Sequence, residues 1–262
     1  MSTNEGPVLV TGATGTLGRP LVERLLADGV EVRVTSRRPR PESDDRPYHW
    51  VTCDFGTGRG LDAAVDGVAV IVHCATSMRH EVAYARRLVE AVRRSGGRPH
   101  LVYVSIVGID TNPFPYYRAK LATERLVASS DLPWTILRAT QFHDLVAAMT
   151  DAQRRLPVVL TPSGFWFQPV EVSEVAARLA ELARGEPAGR VEDLGGPEMR
   201  TASELARTTM RAGGWRRPVV PLRLPGRAFR AFRRGANLAP DRAVGTVTYD
   251  QYLAGRAARA RR

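Results

Sequence analysis

The feature that most constrains this chain is a glycine-rich turn close to its start. Thr11-Gly12-Ala13-Thr14-Gly15-Thr16-Leu17-Gly18 sits between an apolar run, Val8-Leu9-Val10, and a stretch where Leu17, Leu21, Val22, Leu25 and Leu26 recur at helical spacing. Gly12 allows a tight turn, Gly15 lets a backbone approach a pyrophosphate, and Gly18 lets the helix pack closely on the strand. The free N–H groups and dipole of that helix favour phosphate. A glycine triplet alone is a weak signal, but strand, turn and helix fall in the order the motif needs. The sequence therefore predicts a dinucleotide turn lined by Gly12, Thr14, Gly15, Thr16, Leu17 and Gly18.

The following residues keep the same rhythm. Strand-like runs are expected at 30–36, 48–53, 68–74, 101–105 and 134–138, with helices at 84–94 and 116–129. The run at 68–74 is almost unbroken in apolar character, as suits a parallel strand covered on both faces. This alternation predicts an α/β, Rossmann-type doubly wound parallel sheet. After residue 139 the elements shorten, with candidates at 158–160, 173–184, 191–194 and 203–211, the last opened by a capping box at Thr201 and Glu204. The expected division is an NAD(P)-binding core over 1–145. A small α+β substrate lobe, interleaved with that core and ending in a basic tail, covers 146–262.

At the end of the second strand an NAD-preferring site carries a carboxylate for the ribose hydroxyls. Here the sequence reads Thr35-Ser36-Arg37-Arg38. A hydroxyl and two guanidiniums suit a 2′-phosphate, so Ser36, Arg37 and Arg38 favour NADP(H) over NAD(H). The chain is rich in arginine, and two solvated loop arginines are the plain alternative.

That richness sharpens another observation. Of 38 cationic residues, 37 are arginine and one is lysine, Lys120. Lys120 follows Tyr116 by four residues on a predicted helix, so the two share a face. A nearby ammonium lowers a phenol's pKa and makes proton exchange with a substrate oxygen feasible near neutrality. Ser105, at the end of the fifth strand, could hold that oxygen. Ser105, Tyr116 and Lys120 are the candidate catalytic residues, with Lys120 also placed to hold a nicotinamide ribose.

The glycine turn, Ser105 and the Tyr116/Lys120 pair resemble the short-chain dehydrogenase/reductase superfamily, and more closely its atypical NmrA-like NAD(P)H-binding branch. The resemblance implies that Asp54 and Phe55 meet the adenine and that Cys74, Ala75 and Thr76 meet the middle of the cofactor. It implies that Ala139, Thr140, Gln141 and Phe142 line the nicotinamide. The fourth strand ends His73-Cys74-Ala75-Thr76, where active reductases carry Asn-Ala-Gly. The implied activity is NADP(H)-dependent oxidoreduction of a small carbonyl, alcohol or quinone-like substrate. Two alternatives stay open: a non-catalytic NADP(H) sensor, and an epimerase that oxidises its substrate transiently. His143, Trp166 and Phe167 are weaker substrate-facing candidates: Trp166 and Phe167 read equally as packing, and His143 reads better as a structural histidine.

The net charge of +11 does not by itself indicate nucleic acid. Residues 1–199 hold 23 basic and 24 acidic side chains, and residues 200–262 hold 15 and 3, so the excess is confined to the last quarter. No motif for nucleic acid or membrane contact accompanies it. No apolar run reaches the roughly 18–20 residues of a membrane span. Met1 to Gly6 is short and polar, and a cytoplasmic protein is expected. Cys53 and Cys74 offer neither a disulfide framework nor metal-ligand spacing, so the expected partner is a small molecule and no metal.

Overall fold

The structure is a computed structural model that describes residues 6–259. Its first half runs β1 (Val8–Thr11), α1 (Gly18–Ala27), β2 (Val32–Ser36), β3 (His49–Thr52), α2 (Leu61–Val65), β4 (Val70–His73), α3 (Glu81–Ser95), β5 (His100–Ile106), α4 (Pro115–Ala128) and β6 (Trp134–Ala139). The second half runs α5 (His143–Asp151), β7 (Val159–Pro162), β8 (Trp166–Phe167), α6 (Val172–Arg184), β9 (Gly189–Arg190), β10 (Arg200–Thr201), α7 (Ala202–Ala212), β11 (Val219–Leu222), α8 (Arg227–Arg233) and α9 (Tyr249–Arg259).

Seven strands form a parallel sheet in the order β3-β2-β1-β4-β5-β6-β9. The first six follow the 3-2-1-4-5-6 order of doubly wound dinucleotide-binding sheets. Every residue of β1 and β4 is buried, as their apolar runs require of strands covered on both faces. The strand order reverses between β1 and β4, where Thr11 lies in register with His73. In such sheets ligands bind at the carboxyl ends of the strands flanking this point.

The chain forms two compact units. The first takes residues up to 105, then 119–137 and 175–191, and its core includes Leu9, Ile71, Leu88, Leu101, Tyr103, Val127 and Ile136. Burying each such side chain contributes about 1.5–3 kcal/mol. The second takes 106–118, 138–174 and 192 onward, around Val146, Phe165, Phe167, Leu205, Tyr249, Tyr252 and Leu253. The units thus alternate along the chain. The capping box is present: Thr201 Oγ1 accepts from the Glu204 amide at 3.2 Å, and Glu204 accepts from the Thr201 amide at 2.8 Å.

Two expectations need correction. The short element expected at 191–194 is not formed as such: β9 lies just before it, and Leu194 makes an isolated bridge to Ala139. Glu192 and Asp193 interrupt its apolar pattern. The segment read as a basic tail is helical up to Arg259, and Arg256 pairs with Asp151 at 2.5 Å. Residues 260–262 of that tail and residues 1–5 lie outside the described residues. Among the described residues no helix is long and apolar enough to cross a membrane, and no group of three or more His, Cys, Asp or Glu could hold a metal.

Candidate functional site

In the first unit the glycine turn has the geometry its spacing predicts. Gly12 is left-handed (φ 66°), and a Cβ on it would lie 2.8 Å from the Ala75 amide nitrogen. A Cβ on Gly18 would lie 2.2 Å from the Gly12 carbonyl oxygen, so only glycine lets α1 start against the turn. Thr14, Gly15 and Thr16 form an exposed crest, while Leu17 is buried beneath it. The first turn of α1 carries no acidic side chain, which leaves its positive end available to an anion. The turn therefore fits a pyrophosphate.

Thr11 fastens this turn to the end of β4. Its hydroxyl oxygen accepts from the Cys74 and Ala75 amides, each at 3.1 Å, and bonds His73 Nδ1 at 2.8 Å. With both amides donating to it, the hydroxyl gives its own proton to His73. Burial pushes that imidazole down to about 4 despite the opposing charge of Glu81. Desolvation pushes the Cys74 thiol up to about 12, which leaves no nucleophile there.

At the end of β2, Ser36 accepts from the Arg38 amide at 3.3 Å, and Arg37 and Arg38 are exposed. No acidic residue stands among positions 35–38. Asp54 accepts from the Gly56 amide at 2.8 Å and the Thr57 hydroxyl at 3.2 Å, and the Gly56 bond leads in holding its carboxyl below the usual range. The Phe55 ring packs in the core against His73 and Tyr84, so the backbone is what Phe55 has to offer a ligand.

Lys120 is 4% exposed. Its Nζ lies 2.8 Å from Glu81 Oε1, donates to the Val104 carbonyl at 3.2 Å, and sits 4.7 Å from the centre of the Tyr103 ring. Tyr103 also donates to Glu81 Oε1, at 2.9 Å. Thr76 Oγ1 and the Ser77 amide donate to Glu81 Oε2 at 2.7 and 2.8 Å. Burial raises the Glu81 pKa, but Lys120 and these donors outweigh it and hold the carboxyl below its ordinary value. Ser105 is the next-to-last residue of β5, and among the described residues its buried Oγ has no hydrogen-bond partner.

The second unit holds the remaining candidates. Tyr116 is half-buried in the first turn of α4. Tyr117 is buried edge-on to Phe114 and Phe232, and burial raises its phenol far above the usual range, against a hydrogen bond to Gln141. Ala139, Thr140 and Gln141 are buried, and Phe142 is half-buried. Thr140 donates to the Gln168 carbonyl at 2.5 Å, and Gln141 donates to the Asn237 carbonyl at 2.9 Å. His143 is fully buried, stacked on Tyr252 and bonded through Nε2 to the Val247 carbonyl at 3.0 Å. Trp166 is 45% exposed, whereas Phe167 is in the core.

Sequence reasoning missed Glu81, Tyr103 and the Thr11–His73 bond. The available signal was indirect: a buried lysine requires an anion, and Glu81 is the acid that opens the helix after β4.

The NAD(P)H-binding family profile matches residues 12–183. Over 205 residues the chain is 32% identical to ceramide reductase of Caulobacter vibrioides, which covers 71% of this chain and 64% of that protein, less than two thirds of its length. It is 31% identical over 207 residues to the (4-alkanoyl-5-oxo-2,5-dihydrofuran-3-yl)methyl phosphate reductase of Streptomyces griseus, covering 75% of this chain and 70% of the relative. In fold it is similar to an NADPH-dependent quinone oxidoreductase of Escherichia coli solved with NADPH. That likeness has a TM-score of 0.80 at 19% identity and covers 95% of this chain and 99% of the other.

Proposed function

Because the chain belongs to the NAD(P)H-binding family, we propose that it is an NADP(H)-dependent oxidoreductase of a small carbonyl, alcohol or quinone-like substrate. We place it in the atypical, NmrA-like branch of the short-chain dehydrogenase/reductase superfamily. The observation that carries the reading is Lys120, the chain's single lysine, buried one helical turn from Tyr116. Relatives named as reductases support it.

The bound nicotinamide supplies or accepts hydride at C4. The residues of the chain would hold the cofactor and manage the proton. The glycine turn and the positive end of α1 would bind the pyrophosphate, and Ser36, Arg37 and Arg38 the 2′-phosphate. Cys74 to Thr76 and the backbone of 139–142 would flank the remainder. In reduction, Tyr116 would donate its phenolic proton to the substrate oxygen. Lys120 would stabilise the phenolate left behind, and Ser105 Oγ would donate to the same oxygen.

One observation favours sensing without turnover instead. Glu81 balances the Lys120 charge and so reduces the field available to a phenol. Titration with NADPH and NADH, followed by NADPH oxidation against a panel of quinones and small ketones, tests the proposal. Tight NADPH binding with turnover is expected. Binding with no turnover across the panel would favour the sensor, and absence of binding would overturn both.

A further inference from the structure

We propose that Glu81 is a positioning residue, which fixes Lys120 as a buried ammonium and ties the loop after β4 to it. Four donors converge on this carboxylate: Lys120 and Tyr103 on Oε1, Thr76 and the Ser77 amide on Oε2. They come from α4, β5 and the 74–77 loop, while Glu81 itself opens α3. A carboxylate has about four lone-pair sites, and all are used. At 2% exposure, no solvent shares the load.

Stability alone does not account for this arrangement. A buried ion pair is often no more stabilising than well-packed apolar residues of the same volume. Packing also gives no reason for the cation to be a lysine in a chain whose other 37 are arginines. A compact ammonium between a carboxylate, a carbonyl and a ring is the arrangement that a planar guanidinium cannot reproduce. The second oxygen of Glu81 matters as much as the first. Through Thr76 and Ser77 it fixes the loop that follows Cys74 and Ala75, whose amides are held by Thr11 beside the glycine turn. One side chain thus links the lysine to the segment proposed to meet the cofactor.

Groups from several elements face Lys120. Glu81 comes from α3, Tyr103 from β5, and His73 and Cys74 from the end of β4, both of which feel its charge. Tyr116 and Glu124 each lie one turn away on α4. Glu81 Oε1 forms an ion pair with the ammonium at 2.8 Å.

The inference rests on the proposed role of Lys120, and its test separates the two. Since the chain has one lysine, full-length protein made with 13Cε-labelled lysine gives a single lysine side-chain resonance, whose titration reports ammonium or amine. In Glu81→Gln the ammonium loses its counter-charge, and its midpoint should fall by about one to three pH units. NADPH affinity should weaken roughly tenfold and become pH-dependent at that same midpoint. Glu81→Asp, which keeps the charge, should restore the parent midpoint. If Glu81→Gln does not fold, Thr76→Val removes one donor at an exposed position and is read by the lysine titration alone, with a smaller shift in the same direction. A folded Glu81→Gln with the parent's lysine midpoint and NADPH affinity would overturn the inference. If the parent binds no NADPH, the proposed function fails, and the lysine titration still decides whether Glu81 holds the ammonium.

Discussion

Lys120 cannot be exchanged for arginine without disturbing a carboxylate, a carbonyl and a ring. Lys120→Arg should therefore lower turnover by roughly 10²-fold or more, the scale of a damaged acid/base system. Tyr116→Phe should do the same. Tyr117→Phe should leave turnover nearly intact but cost about 1–3 kcal/mol of stability, because it strips a partner from buried Gln141. Near-normal turnover in a folded Lys120→Arg would favour sensing. At the adenosine end, Arg37→Ala with Arg38→Ala should weaken NADPH by about 1.5–3 kcal/mol per contact and leave NADH nearly unchanged. Equal losses for both cofactors would refute the 2′-phosphate reading. The buried histidines set an acid limit. Burial lowers His73 from 6.5 to about 4 and lowers His100 and His143 in the same direction. The unfolded chain then binds more protons than the native one between those values, so stability falls as pH drops from about 6.5 towards 4. Glu81, lowered when folded, adds a further loss below its ordinary 4.5. Melting temperatures that stay level from pH 7 to pH 5 would contradict this.

At the scale of elements, α1 depends on a contact that a single methyl destroys. Gly18→Ala would drive a Cβ into the Gly12 carbonyl and to 2.6 Å from the Ala13 Cα. About 1–3 kcal/mol of stability should be lost, and NADPH affinity should fall with it. Thr201→Ala removes the cap of α7 and should cost about 1 kcal/mol while leaving NADPH affinity alone. If the two variants affected NADPH equally, the turn would have no special link to the cofactor. Up to β6 the alternation of elements was legible apart from α2, because β1 and β4 are buried apolar runs and α1, α3 and α4 show a 3.6-residue period, whereas α2 has five residues, too few to show one. Glu81 was not legible, because an acid in the first turn of a helix is what the dipole favours on any surface. Nor was α9, whose Tyr249, Tyr252 and Leu253 have helical spacing but stand among arginines that read as a solvated tail. Thr140 and Gln141 looked like pocket side chains, and only the distant Gln168 and Asn237 reveal where their polar atoms go.

Over the whole molecule, the basic excess of the last quarter is partly answered by its own fold. Arg242 pairs with Glu192 and Arg256 with Asp151, both acids from earlier in the chain, and Arg200 pairs with Asp250. The order in which the units use the sequence has a sharper effect. A fragment ending at residue 145 lacks α6 and β9, and with them Val175, Ala176, Leu179 and Ala180 of the first unit. It should show no cooperative melting, and a fragment that melted sharply and bound NADPH like the full chain would refute this. The same interleaving governs how the protein is made. A growing chain that has emerged as far as residue 137 still lacks the last piece of its first unit until residue 191 follows. At the pace of a ribosome that is a wait of roughly 3–11 s. Throughout it a sheet with one edge unfinished stands exposed, so a chaperone that shields nascent chains would meet this protein over that interval.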